Sequence, residues 1–179
     1  FSGPIFDEIK DTFPHAEVID RTSMNTWEDA RIATQVNAIG KTRIVLAGHS
    51  AGAQLLCLVL DERGVVGGLA ISGIYDLAPL IHTSLNEKLR LDAGAAHRLS
   101  PLLTPGTARV PAVWLVGAAE TPAFLAQNAG MHRRWQGAQD GAWSACVEAP
   151  GADHFTVLQD WAALRGPLAD TCERWWAPV

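Results

Sequence analysis

Residues 43–60, RIVLAGHSAGAQLLCLVL, allow few folds. A run of apolar residues, RIVLAG (43–48), predicts a buried strand. The next stretch, 51–62, predicts a helix apolar on nearly every side, which belongs inside a protein. Only Gly-His-Ser-Ala-Gly stands at the junction. A Gly-x-Ser-x-Gly turn between a strand and a helix is the pattern of a nucleophile elbow. The turn forces Ser50 into a strained backbone conformation that lifts its hydroxyl clear of the sheet. Gly48 and Gly52 lack side chains, which predicts a close approach of strand and helix. The helix start turns free amides and a positive dipole end toward any developing oxyanion, and the amide of Ala51 is the expected donor. The five-residue pattern is weak alone, because a small residue at a tight turn also satisfies it. The strand before it and the buried helix after it favour a nucleophile.

The rest of the chain alternates strand and helix. AEVIDR (16–21) reads as a short strand. NTWEDARIATQVNAIG (25–40) reads as a helix capped by Asn25 or Thr26 and stopped by Gly40. GVVGGLAIS (64–72), AVWLVGA (112–118) and AWSACVEA (142–149) read as further strands. Residues 73–111 form an excursion of short helices and loops. A helix is expected from Pro122 to Trp135, and another from Thr156 to Trp176, broken near Gly166-Pro167. Continuous apolar strands separated by helices imply an α/β three-layer sandwich with a mostly parallel sheet. A chain of 179 residues is expected to make one such domain. Ligands collect at the carboxyl ends of strands in these sheets, and Ser50, Glu120 and His154 all fall there.

Composition narrows the function classes. The formal net charge is −5 and no basic run occurs, so nucleic acid and anionic membrane are poor partners. No apolar run is long enough to span a bilayer, and no secretory signal is recognisable. Three widely spaced cysteines, Cys57, Cys146 and Cys172, argue against a disulfide framework and for a reducing, cytoplasmic setting. They are expected to be buried thiols. His, Cys and carboxylates nowhere cluster at ligand spacing, so no metal or cofactor is expected. Seven tryptophans raise an aromatic pocket as a possibility. Trp114 and Trp143 on core strands, with Trp161, Trp175 and Trp176 near the C-terminus, fit packing better.

A serine hydroxyl needs a base. His154 follows the last strand by a short loop and comes after the acid candidate, in the order Ser, acid, His. His49 sits inside the elbow and is expected to face away from the hydroxyl. His15, His82, His97 and His132 read as loop or surface residues. Glu120 follows the 112–118 strand closely enough to aim a carboxylate at the imidazole. Asp76, after the 64–72 strand, and Asp153, beside the histidine, are rival acids. Asp76 has the alternative of capping the next helix.

On these residues the chain from about 43 to 179 resembles the arylformamidases (kynurenine formamidases) and related small esterases. The matching stretches are GHSAGA, SGIYDLAPL, NEKLRLD, RLSPLL, VGAAETPAF and ADHFTVL. The resemblance implies an α/β-hydrolase-like core with Ser50 as nucleophile, Glu120 as acid and His154 as base. It implies hydrolysis of an N-formyl arylamine or small ester through an acyl-enzyme. Such chains carry a His-Gly-Gly segment that completes the oxyanion hole, and none occurs in this sequence. The expected core is therefore incomplete, and loss of one oxyanion donor costs about a hundred- to a thousandfold in turnover.

The first 47 residues have a different likeness. GPIFDEI, FPHAEVIDRTSMNTWEDARI and GKTRIVLAG resemble the later half of isochorismatase-like hydrolases. That family's cysteine would fall near Gln54, where no cysteine stands, so none of its chemistry carries over. The two likenesses meet in RIVLAG, which suggests a chain recombined at a strand, with an isochorismatase-like segment at 1–47 and an α/β-hydrolase-like one at 48–179. A short sheet with an open edge predicts a homodimer or larger assembly. Three functions follow: a serine hydrolase on a small-molecule substrate, an inert recombined scaffold, or an interaction module built on a hydrolase core.

Overall fold

The computed structural model describes residues 11, 14–15, 29–38, 40, 43–104, 110–138 and 143–162. The chain divides into two units, Phe1–Thr42 and Arg43–Val179. In the first, α1 runs Ala30–Ala38. Asp29 starts it: its carbonyl accepts from Ile32 and Ala33, and its carboxylate accepts from the Arg31 amide and guanidinium. Gly40 follows at φ +66°, the left-handed residue that ends helices, as expected. The proposed caps Asn25 and Thr26 and the strand at 16–21 lie outside the described residues.

The second unit is a four-stranded sheet. Strands β1 (Ile44–His49), β2 (Val65–Ile71), β3 (Ala112–Gly117) and β4 (Ser144–Ala149) lie in that order, every neighbouring pair parallel. Parallel neighbours need crossovers, and helices supply them. Between β1 and β2 runs α2 (Ala51–Cys57). Between β2 and β3 come a 3₁₀ turn (Ala78–His82), α3 (Asn86–Leu89) and α4 (Ala93–Arg98). Between β3 and β4 lies α5 (Pro122–Ala138), and α6 (Val157–Ala162) follows β4.

Strand alternation sends side chains to two faces. Ala70, Ala112 and Trp114 face one way and pack with Ala53, Leu56 and Cys57 of α2 and Met131 and Trp135 of α5. Leu69, Ile71, Val113 and Leu115 face the other way, with Ala149, Ala152 and Val157. Three layers result, the α/β sandwich expected from the alternating pattern. Trp114 is fully buried, edge-on to Tyr75 at 5.4 Å and to Trp135 at 5.6 Å, and its Nε1 donates to Ser144 Oγ. Its role is packing, and Trp143 packs on the second cluster. The side chains of Trp161, Trp175 and Trp176 lie outside the described residues.

Several sequence expectations need correction. Helix α2 stops at Cys57, five residues short of the expected 62. Leu58 and Val59 bond back three residues instead of four, tightening the chain into the turn toward β2. Helix α5 runs three residues past Trp135, because Trp135 continues the buried face instead of ending it. Cys57 is buried, and burial pushes its thiol far above the usual range, but Cys146 is exposed on the outermost strand β4. Cys172 and the end of the expected C-terminal helix lie outside the described residues. His132 is not a loop residue: it sits on α5, half-buried, with Nδ1 2.9 Å from Ser144 Oγ, and burial lowers its pKa. Among the described residues no helix is long and apolar enough to cross a membrane.

The two elbow glycines prove unequal. A Cβ on Gly48 would lie 2.3 Å from the Gly52 carbonyl oxygen, whereas a Cβ on Gly52 meets nothing within 4 Å. The close approach therefore rests on Gly48 alone, with Gly52 contributing its backbone. Gly48→Ala is expected to destabilise the protein by about 1–3 kcal/mol through overpacking. Gly52→Ala, in a helix, is expected to be neutral or to gain up to about 1 kcal/mol. Urea unfolding of the two variants checks the pair; equal midpoints would refute the asymmetry.

Candidate active site

The site is assembled from the carboxyl ends of β1, β2, β3 and β4. Ser50 follows β1 with φ +56° and ψ −118°, a conformation that non-glycine residues adopt at a cost of roughly 1–3 kcal/mol. Its amide donates to Ile71 O at 2.9 Å, and its carbonyl accepts from Ala53 and Gln54 at the start of α2. The backbone is thus held from both sides in the strained turn. The Ser50 side chain makes no capping bond to α2. This is the elbow expected from residues 43–60.

Glu120 lies three residues beyond β3, in a turn closed by its own amide on Gly117 O. The carboxylate is buried, its side chain 1% exposed. A buried carboxylate demands compensation, and three groups supply it. The Gly117 amide donates to Oε1 at 2.9 Å, and Ser72 Oγ donates to the same oxygen. His154 Nδ1 lies 2.8 Å from Oε2. Because an ionised carboxylate only accepts, Nδ1 carries a proton, and Nε2 of a neutral His154 is left with a lone pair.

His154 sits in the loop between β4 and α6. That loop is held at Ala152, whose amide donates to Ala149 O and whose carbonyl accepts from Ala119. Gly117 makes the approach possible: a Cβ there would lie 2.3 Å from Ala152 O. The His154 side chain is 24% exposed, so the ring is reachable. Phe124 of α5 packs on it with ring centroids 4.6 Å apart, and Phe155 meets it edge-on at 5.4 Å while remaining 76% exposed.

The rival acids are spent locally. Asp76 Oδ1 accepts from Ala78 N at 2.9 Å, a bond two residues along its own loop; the cap position of the 3₁₀ turn that follows is Leu77, not Asp76. Asp153 Oδ1 accepts from the amides of Phe155 and Thr156 and from Thr156 Oγ1. Those bonds hold its carboxyl below the usual range, and it opens α6 instead of facing the imidazole. Glu120 and His154 are therefore brought together, and Ser50 stands at the elbow of the same sheet end. Among the described residues Ser50 Oγ and His154 share no hydrogen bond.

Three contributors escaped sequence reasoning. Ser72, fully buried at φ +49°, holds the Glu120 carboxylate. Gln127 of α5 receives the amides of Tyr75 and Asp76 on its side-chain oxygen at 2.5 and 2.7 Å, pinning the loop after β2. His49, expected to face away from the Ser50 hydroxyl, meets His154: its Nε2 lies 2.8 Å from the His154 carbonyl oxygen and the two ring centroids lie 4.6 Å apart. The only trace of Ser72 in the sequence was its place at a strand's carboxyl end. Ser72→Ala is expected to cost about 1–3 kcal/mol, since it strips a donor from a buried acceptor, and to lower hydrolytic turnover; calorimetry beside an ester assay checks both.

Comparisons with known proteins agree with this architecture. A model of the alpha/beta hydrolase family matches residues 11–178. The match crosses the boundary near residue 47 between the two likenesses, so it lends nothing to a recombined origin. Kynurenine formamidase of Salmo salar is 28% identical over 129 residues, covering 65% of this chain and 44% of that protein. The Danio rerio kynurenine formamidase is 29% identical over 129 residues, covering 65% and 43%. The chain thus spans less than half the length of these relatives. Among solved structures, a protein of Silicibacter sp. assigned as a thioesterase superposes with a TM-score of 0.61 at 33% identity, over 80% of this chain and 56% of the other. An acylaminoacyl peptidase of Pyrococcus horikoshii shares the fold at a TM-score of 0.57 and 14% identity, over 74% of this chain and 24% of the other. With a parallel sheet, a strained serine at the turn between β1 and α2 and a family match over nearly its whole length, the chain belongs to the alpha/beta hydrolase family.

Proposed function

We propose that this chain carries a serine hydrolase site acting on N-formyl arylamines or small carboxylic esters through an acyl-enzyme. The observation that carries it is the buried Glu120 carboxylate bonded at 2.8 Å to Nδ1 of a solvent-reachable His154, at the same sheet end as the strained Ser50. In this mechanism Ser50 Oγ attacks the substrate carbonyl carbon as its proton passes to His154 Nε2. Glu120 keeps the proton on Nδ1 and stabilises the imidazolium. The oxyanion lies against the amide of Ala51, the first residue of α2, which has no intrahelical acceptor. Collapse expels the amine or alcohol, which takes the proton from His154. Water, deprotonated by the same imidazole, then attacks the acyl-serine, and the carboxylic acid is released as Ser50 Oγ takes that proton back from His154. The kynurenine formamidase relatives support the formamide class. Phe155, exposed beside the base that protonates the leaving group, adds an apolar surface suited to an aryl one.

A second reading is a hydrolase core retained for binding, and the lack of a hydrogen bond between Ser50 Oγ and His154 among the described residues favours it. A fluorophosphonate probe separates the two. Covalent labelling, mapped by mass spectrometry to the peptide containing Ser50, is expected. An unlabelled folded protein would leave the binding reading standing and end the hydrolase one.

A further inference from the structure

The loop that carries His154 is fastened to the nucleophile strand by one side chain, and that side chain belongs to the residue before the nucleophile. His49 is the last residue of β1, in register with Ile71 of β2, so its backbone is part of the sheet. Its Nε2 lies 2.8 Å from the backbone oxygen of His154. A carbonyl oxygen only accepts, so His49 must hold its proton on Nε2 and donate. The same ring rests 4.6 Å from the His154 ring, tilted by 43°. The two residues are 105 positions apart in the chain.

The other restraints on His154 act elsewhere. Glu120 aims the imidazole through Nδ1, from the end of β3. The Ala152 bonds hold the base of the loop to the β3–α5 turn and to β4. The Asp153 bonds shape the start of α6. The first two fix His154 relative to β3 and β4, and the Asp153 bonds stay within the loop and α6. The His49 bond alone among those named references it to β1, the strand from which Ser50 projects.

We propose that His49 is a positioning residue: its Nε2–H, bonded to the His154 carbonyl, sets the distance between the base and the nucleophile. This rests on the serine hydrolase reading and deepens it. Proton transfer between Ser50 and His154 is steep in distance, and a displacement of about 1 Å in such a pair costs on the order of a hundredfold. His49 touches no reacting atom in this scheme and acts only through His154. The donor matters more than the ring, because removing it leaves a loop carbonyl without its partner on β1.

The test compares wild type with His49→Phe, which keeps an aromatic ring but no donor, and His49→Gln, whose amide reaches about as far as Nε2. Hydrolysis of 4-nitrophenyl acetate and the rate of fluorophosphonate labelling report on chemistry. Hydrogen exchange over residues 150–156 reports on the loop without requiring activity. His49→Phe is expected to lower kcat and the labelling rate about 10- to 100-fold, with KM within about twofold, because the substrate's own contacts are untouched. Exchange in 150–156 should quicken. His49→Gln should recover most of both losses. Wild-type rates in His49→Phe, or a His49→Gln variant as impaired as His49→Phe, would overturn the proposal while leaving the hydrolase reading intact. If wild type neither labels nor hydrolyses, the hydrolase reading fails. Unchanged exchange in His49→Phe would then overturn the anchor as well.

Discussion

Ser50→Ala should abolish fluorophosphonate labelling and lower ester or formanilide hydrolysis by about 10⁴- to 10⁶-fold, to the level of oriented binding alone. The size follows from what the residue does in the proposed mechanism. Without the hydroxyl no acyl-enzyme forms, and His154 and Glu120 have no nucleophile to serve. Stability should change little or rise. The strain at φ +56° is a property of the turn, which the Ile71 and Gly48–Gly52 contacts impose from outside. Alanine keeps the same backbone demand and carries one polar atom fewer. His154→Ala should lose a comparable factor, and Ser50→Ala/His154→Ala should be no worse than either single variant, because groups that act as one unit are not additive. Full labelling of Ser50→Ala would move the reactive group elsewhere and refute the assignment.

Glu120→Gln should lower turnover by about 10²- to 10⁴-fold with a smaller effect on KM. The carboxylate accepts three bonds, from Gly117 N, Ser72 Oγ and His154 Nδ1. An amide has one oxygen. If that oxygen keeps the Gly117 and Ser72 donors, the NH₂ faces His154 Nδ1 and favours the tautomer with the proton on Nε2, which cannot accept from Ser50. If it turns the other way, the NH₂ is pressed against two donors. Either arrangement also costs stability, because a buried donor or acceptor goes unmatched. Glu120→Asp is the sharper control. It keeps the charge but shortens the side chain by one methylene, so Oε1 and Oε2 cannot both reach their partners from the same turn. Activity of Glu120→Gln equal to wild type would remove this carboxylate from the mechanism; urea unfolding of the variant, measured beside its turnover, separates a lost orienting role from a merely unfolded site.

The elements legible in the sequence were those whose cause is local. The elbow was readable because strand, turn and helix lie within residues 43–60, and the strained serine needs only its neighbours. The parallel sheet was readable because apolar strands separated by helices have few other ways to bury both faces. Which carboxylate meets His154 was not readable. Asp76, Glu120 and Asp153 all follow strands, and only the folded chain shows that Asp76 and Asp153 satisfy amides within three residues of themselves while Glu120 reaches across 34 positions to His154.

What the amino-acid order determined by itself was therefore the set of local pieces: a buried strand, an elbow with a nucleophile candidate, and three carboxylates and a histidine near strand ends. What the tertiary structure decided was which of them meet. Ser72 reaches Glu120 across 48 positions and His49 reaches His154 across 105. Gly48, not Gly52, bears the close approach. The physical reason is one of range. Hydrogen bonds to nearby backbone and the period of apolar residues leave a signature over a few residues, whereas side chains from different strands become neighbours only after the sheet has set their spacing.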